Sequence, residues 1–244
     1  MQPLSVIQKA ALWHVSRLAL PDCAKVLDAP CGAGALTLAL AEAGLDAWGV
    51  DLTAEAQAAL GDHFVCADLS GPLPWPESNF DAIFSTEGIE HLENRFAFLR
   101  EAHRVLKPGG ALLLTTPNIA SLRSRVRFFF SSFYHKDPRP LNESQRHPLH
   151  HIGLATFSDL RYALHTSGFT IAYAGATHIK PVSYAYGVLA PLMYLYTRLA
   201  FRKEKDPAQR ARNVDIRRTL LSTPLLFGEN LLIVARKRAV SAGA

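Results

Sequence analysis

The segment Val26-Leu27-Asp28-Ala29-Pro30-Cys31-Gly32-Ala33-Gly34 constrains this chain more than any other. A short apolar run ends in an acid, passes through a turn of small residues, and opens the helical run Ala35 to Ala43. A second apolar run, Ala47-Trp48-Gly49-Val50-Asp51, closes on another acid seventeen positions after Gly34. Such a strand–turn–helix–strand unit predicts neighbouring parallel strands. Gly32 and Gly34 let the backbone approach a ligand where a Cβ would collide. An acid ending the second strand is placed to accept hydrogen bonds from two ribose hydroxyls. The expected site is one for a nucleotide-containing cofactor.

The turn is ill suited to a dinucleotide. A pyrophosphate loop wants G-x-G-x-x-G and free N–H groups at a helix start. Pro30 has no N–H, Thr37 stands at the third glycine position, and Asp28 would repel a diphosphate while suiting an amino group. The turn resembles motif I of the class I S-adenosylmethionine (SAM) methyltransferases, D-x-G-x-G-x-G, with Pro30 in place of the first glycine.

Three further runs extend the resemblance over about residues 24 to 118. His63 to Leu69 reads as a third strand carrying Asp68. Leu73 to Ser85 reads as a proline-broken loop and a fourth strand. Arg104-Val105-Leu106-Lys107-Pro108-Gly109-Gly110 reads as a helix end closed by Pro-Gly-Gly before the strand Ala111 to Thr116. Phe169 to Thr177 and Asn230 to Arg236 read as two later strands. The family resemblance implies an α/β, Rossmann-like, doubly wound and mainly parallel seven-stranded sheet with helices on both faces. In it the last strand is antiparallel.

The 244 residues allow one domain, 1–244, and an apolar content of 49% with 19% charge describes a chain with a large core. Residues 1–22 read as a helical cap over the cofactor site, with Leu12, Trp13, Val15 and Leu18 on its apolar side. They lack the charged and apolar regions of a leader, so a cytoplasmic protein is expected. Cys23, Cys31 and Cys66 lack metal-ligand spacing and read as buried thiols.

The resemblance also assigns roles. Asp28, Ala29, Pro30, Gly32 and Gly34 would surround the methionine and ribose of SAM. Asp51 would hold the ribose hydroxyls, and Leu52 would pack on adenine. Asp68 and the Leu69 N–H would meet the adenine edge, and the Thr86 carbonyl the methionine end. After the fourth strand, Glu87-Gly88-Ile89-Glu90-His91 supplies His91 as a general base, because an imidazole titrates near about 6.5. The alternative reading makes Glu87 and Glu90 caps of the next helix. E-x-x-E-H resembles both ubiquinone-pathway O-methyltransferases and small-RNA 2′-O-methyltransferases. The latter imply a divalent cation (Mg²⁺, Mn²⁺ or Zn²⁺) on Glu87, Glu90, His91 and His151, the last set by its spacing to Thr156. Otherwise the His147–His151 cluster folds over the acceptor without metal.

Two segments lie outside the common core: 119–155, read as a lid or acceptor segment, and the apolar and basic insertion 180–227. The stretch 184–201 contains Pro191 and Arg198 and is short for a spanning helix. Lid, homodimer face and peripheral membrane contact stay open for it. A net charge of +5 admits an anionic partner. Nucleic acid is disfavoured, because no stacking platform is evident. Thr116-Pro117-Asn118 with Leu122-Arg123-Ser124-Arg125 and the insertion resemble methyltransferases of bacterial surface-polysaccharide synthesis. The acceptor expected is a glycan, a lipid-linked sugar or a small hydroxylated molecule, with Arg202, Lys203 and Lys205 facing phosphate. A non-catalytic SAM-binding partner subunit and an RNA 2′-O-methyltransferase are the alternatives.

Overall fold

A computed structural model of the protein describes residues 3–136, 139–145 and 147–238. Residues 1 and 2 of the expected cap, and 137, 138 and 146 of the expected lid, lie outside them. Seven strands form one sheet: β1 (Lys25–Asp28), β2 (Asp46–Asp51), β3 (Phe64–Cys66), β4 (Phe80–Thr86), β5 (Leu106–Pro117), β6 (Phe169–Ala176) and β7 (Asn230–Lys237). Their order is β3-β2-β1-β4-β5-β7-β6, and β7 runs antiparallel to both its neighbours. This is the expected architecture.

Period-two alternation divides the strands between two cores. Leu27, Ile83, Leu112, Leu114 and Ile233 face one side. There they meet Phe98, Leu99 and Ala102 of α4 (Arg95–Val105) and Leu160 and Leu164 of α6 (Phe157–Thr166). Val26, Ala82, Phe84, Leu113 and Val234 face the other, against Ala11 of α1 (Val6–Val15) and Leu36 and Leu40 of α2 (Ala35–Glu42). Burial on both faces explains why the central strands read as continuous apolar runs. The remaining helices are α3 (Gln57–Leu60), α5 (Leu122–Ser131), α7 (Ala190–Phe201), α8 (Pro207–Leu220) and α9 (Thr223–Phe227).

Four sequence expectations need correction. The third strand stops at Cys66, because Asp68 takes the Ser70 N–H on its carboxylate at 2.8 Å and the Gly71 N–H on its carbonyl at 3.1 Å, turning the chain. The Pro-Gly-Gly run does not separate helix from strand. It bulges within β5, where Phe80 pairs with Leu106 and Ala82 already with Ala111, and Gly109 takes φ 75°. Trp13 is 57% exposed and stacks under the Arg17 guanidinium, while Ala11, His14 and Leu18 face inward. Of the cysteines only Cys31 is buried.

The arginine of the R-V-L-K-P-G-G run has a structural task. Arg104 donates to the carbonyls of Leu73 and Trp75 at 2.9 and 2.8 Å and pairs with Glu101 at 2.7 Å. Glu101 in turn accepts the Leu73 N–H at 2.8 Å. The loop before β4 is thereby tied to α4. Lys107 and the Lys25 N–H share Asp81, which ties the starts of β1, β4 and β5 together.

Candidate active site

Strand order reverses between β1 and β4, so the crevice beyond their carboxyl ends is the place where such sheets take ligands. The turns after β1 and β4 meet there. A Cβ on Gly88 would lie 2.2 Å from Pro30 Cδ, so only glycine lets the two turns close on each other. Above them opens a cavity of about 920 Å³. That lies at the upper end of the roughly 300–1,000 Å³ usual for small-molecule sites.

The cavity is lined by Pro30, Gly32, Asp51, Leu52, Asp68 and Leu69. Asp51 Oδ2 accepts the Gly32 N–H at 2.8 Å, and Oδ1 accepts the Thr53 N–H and hydroxyl at 3.1 and 3.2 Å. A carboxylate has about four lone-pair sites, so Asp51 holds the turn and keeps acceptor capacity for a ligand. Leu52 is 52% exposed and gives the cavity an apolar wall. Asp68 is anchored through one carboxylate oxygen by its own turn.

Asp28, Ala29 and Gly34 are not on the cavity surface. Asp28 lies beneath the turn, 1% exposed, with Oδ2 accepting the Thr37 hydroxyl at 2.9 Å and no hydrogen bond to Oδ1. Burial pushes its pKa up to about 7, against the pull of Thr37. Gly34 adopts φ 84°, and a Cβ there would meet Leu60 at 3.1 Å; its constraint is backbone conformation and packing rather than a ligand. Thr37, which appeared only as a failed glycine, is the residue that holds the buried acid.

The same cavity is lined by Thr86, Glu87, Gly88 and His91 and by His147, Leu149, His150 and Ile152. Glu87 takes φ 52°, unusual for a residue with a side chain and typical of functional turns. Its carboxylate accepts both contacts of Asn230 Nδ2, at 2.8 and 2.7 Å, and its N–H is donated to Thr115. Glu90 is fully buried; Oε2 accepts the Thr116 hydroxyl at 2.9 Å and Oε1 has no hydrogen-bond partner. Burial, then the neighbouring charge of Glu87, pushes Glu90 up to about 8, and burial also raises Glu87. Neither acid caps the following helix, because Asn94 does.

The histidine loop is clamped onto this turn. His91 Nδ1 lies 3.1 Å from the His150 carbonyl, and the Gly153 N–H is donated to the Glu90 carbonyl at 2.7 Å. A Cβ on Gly153 would come within 2.7 Å of the Leu92 carbonyl, so glycine permits this approach. The loop brings His151 to His91, ring centroids 5.0 Å apart. Ligand atoms of Glu90, His91 and His151 then lie within 4.8 Å of one another. Glu87 is the expected ligand that this group leaves out, because Asn230 and Thr115 hold its carboxylate. An unpartnered buried carboxylate oxygen beside two imidazoles fits a divalent cation by donor chemistry. Thr115, Thr116, Asn230 and Gly153 escaped the sequence reading. The two threonines breaking the apolar run of β5 were a signal for them.

Residues 27–114 match a family model described as a methyltransferase domain. The chain is 33% identical over 130 residues to the ubiquinone biosynthesis O-methyltransferase of Xanthomonas campestris pv. campestris, covering 48% of this chain and 53% of that protein. It is 34% identical over 105 residues to the malonyl-[acyl-carrier protein] O-methyltransferase of Pseudescherichia vulneris, 41% of each chain. The chain thus spans about half the length of the curated relatives it matches. A SAM-dependent methyltransferase of known structure from Mesorhizobium loti superposes with a TM-score of 0.52 at 21% identity, over 94% of this chain and 99% of that one. The last likeness is one of fold.

Proposed function

We propose that this chain, whose residues 27–114 match a methyltransferase-domain model, is a class I SAM-dependent methyltransferase that methylates a hydroxyl oxygen of a small, glycan or lipid-linked acceptor. The observation that carries the reading is His91 on the wall of the cavity that Asp51 also lines, with ligand atoms of the buried Glu90 and of His151 within 4.8 Å of its own. Both named relatives are O-methyltransferases, which supports oxygen as the atom methylated.

When bound, SAM supplies a methyl group already activated on a sulfonium. What remains for the protein is in-line positioning and removal of the acceptor proton. Asp51 would hold the ribose, Leu52 the adenine face, Asp68 and Leu69 its edge, and the Thr86 carbonyl the methionine end. Asp28 would act from below the turn, through Thr37 and the loop backbone. A carbonyl can only accept, so the contact with His150 puts the His91 proton on Nδ1 and leaves the Nε2 lone pair to take a proton. A divalent cation on Glu90, His91 and His151 would instead lower the pKa of the hydroxyl itself. The exposed side chains of Leu149 and Ile152 favour an acceptor with an apolar portion.

The test is transfer from labelled SAM into a fractionated lipid and glycan extract. His91→Ala should lower turnover by about 10²–10⁴-fold while S-adenosylhomocysteine (SAH) binding stays within about threefold. Equal turnover of variant and wild type would remove His91 from the chemistry. Exhaustive chelation should abolish activity, with Mn²⁺ or Zn²⁺ restoring it. Cation affinity should rise with pH through about 8, as Glu90 sheds its proton. Full activity after chelation would leave His91 as a plain base.

A further inference from the structure

Beside the acid pair, three permanent cations converge on one carboxylate. Glu229 precedes β7 and has a side chain only 2% exposed. It lies 3.1 Å from Lys180, 3.4 Å from Arg123 and 3.9 Å from Lys136, with His135 at 3.6 Å. Its backbone is fixed: the Glu229 N–H is donated to the His178 carbonyl, and its carbonyl accepts the Asn118 N–H. Asn118 Nδ2 also holds the carbonyls of Leu225 and Gly228 at 2.9 and 3.0 Å. One carboxylate cannot neutralise three cations, so the cluster keeps a positive excess. Burial is the main cause of the lowered pKa values of His135 and His178; the nearby cations push the same way and Glu229 opposes them, at His178 more strongly than either lysine. Lys180 and Lys136 are 49% and 28% exposed, so the excess charge reaches solvent.

The cluster lies close to Glu87 and Glu90. Lys136 acts electrostatically on both Glu87 and Glu90, and Asn230, next to Glu229, holds Glu87. The elements that carry the cations also carry exposed apolar side chains. Arg123 is in α5, whose Phe129 and Phe130 are exposed, and Lys180 leads into Pro181–Leu189, which exposes Tyr184 and Val188.

We propose that Arg123, Lys136 and Lys180 form a binding site for a phosphate-type dianion carried by the acceptor, preorganised by Glu229. That the dianion belongs to the acceptor rests on the reading above; the anion site itself does not. A lipid diphosphate and a soluble phosphorylated acceptor share this chemistry.

The experiment is calorimetric titration of the full chain with inorganic pyrophosphate at low ionic strength, in saturating SAH so that the cofactor cavity is filled. Saturable binding is expected. It should weaken at least tenfold in Arg123→Ala/Lys180→Ala and remain in Arg218→Ala, a control on α8. SAH binding by each variant reports folding. Lys180→Ala alone, at a half-exposed position, keeps the test available if the double variant fails to fold; it should weaken binding severalfold. Absence of saturable pyrophosphate binding by the wild type, or undiminished binding by a folded variant, would overturn the proposal. Loss of SAH binding in the wild type would count against the functional reading instead. Farnesyl diphosphate then separates the sources. Tighter binding than pyrophosphate, lost in Phe129→Ser/Val188→Ser, supports the site with a lipid ligand; equal binding supports it with a soluble one.

Discussion

Asp28 shows how far a residue's role can differ from its place in a motif. The sequence puts it beside the ligand; the structure buries it beneath the turn with one hydroxyl partner and a pKa near 7. Because the folded pKa lies above the usual 3.8, the folded chain holds a proton that the unfolded chain has lost between about pH 4 and 7. The associated stability is complete below about pH 4 and disappears as pH rises through 7. Asp28→Asn keeps an acceptor for Thr37 and removes the titration. Its melting temperature should fall less than the wild type's over that range, and match or exceed it at pH 8. Part of the slope should remain, because Glu90 also titrates above its usual range. Superimposable profiles would show that Asp28 is not buried as described. Asp51, by contrast, lines the cavity, and its carboxylate braces Gly32 and Thr53. Asp51→Ala should weaken SAH by roughly 1.5–3 kcal/mol, the usual cost of losing hydrogen bonds to a charged group. Titration calorimetry gives the value directly.

At the scale of elements, the strands were legible because alternating and continuous apolar runs are set by burial on two faces. What stayed hidden depended on contacts distant in sequence. Thr116 meets Glu90, Asn230 meets Glu87, and the His150 carbonyl meets His91 across 26, 143 and 59 positions. No local pattern encodes such pairs. The insertion 180–227 is also less uniform than its composition suggests. Its ends are woven into the molecule, with Ser183, Leu225 and Leu226 buried, whereas α7 and α8 contain no buried residue. The basic run at Arg202, Lys203 and Lys205 sits just beyond α7, away from the cavity, and the cations near the acid pair are others. Replacing 190–220 with a Gly-Ser linker should therefore leave SAH affinity within about threefold, since peripheral helices add little to core stability. Replacing 181–227 should unfold the chain. Equal melting temperatures for the two variants would contradict this division.

The cavity lies at one edge of the sheet, where the β1 and β4 turns meet, β5 ends and β7 begins. No helix among the described residues is long and apolar enough to cross a membrane. The sheet order was readable because glycines, strand-ending acids and the Arg104 run are local signals of backbone geometry, and the same signals put Gly32, Asp51 and Asp68 where the cavity opens. The group around His91 was readable only in part. His91 and Glu90 follow a strand directly, but His151 arrives by a loop whose path Gly153 and the His150 carbonyl decide. The central claim is that the cavity at this edge is a SAM site in which Asp51 serves the donor and His91 the acceptor. Calorimetric titration of the wild type, Asp51→Ala and His91→Ala with SAH tests it most directly. The expected result is one saturable site per chain, weakened roughly tenfold or more by Asp51→Ala and left within about threefold by His91→Ala. Absence of saturable binding to the wild type, or equal binding by Asp51→Ala, would contradict it.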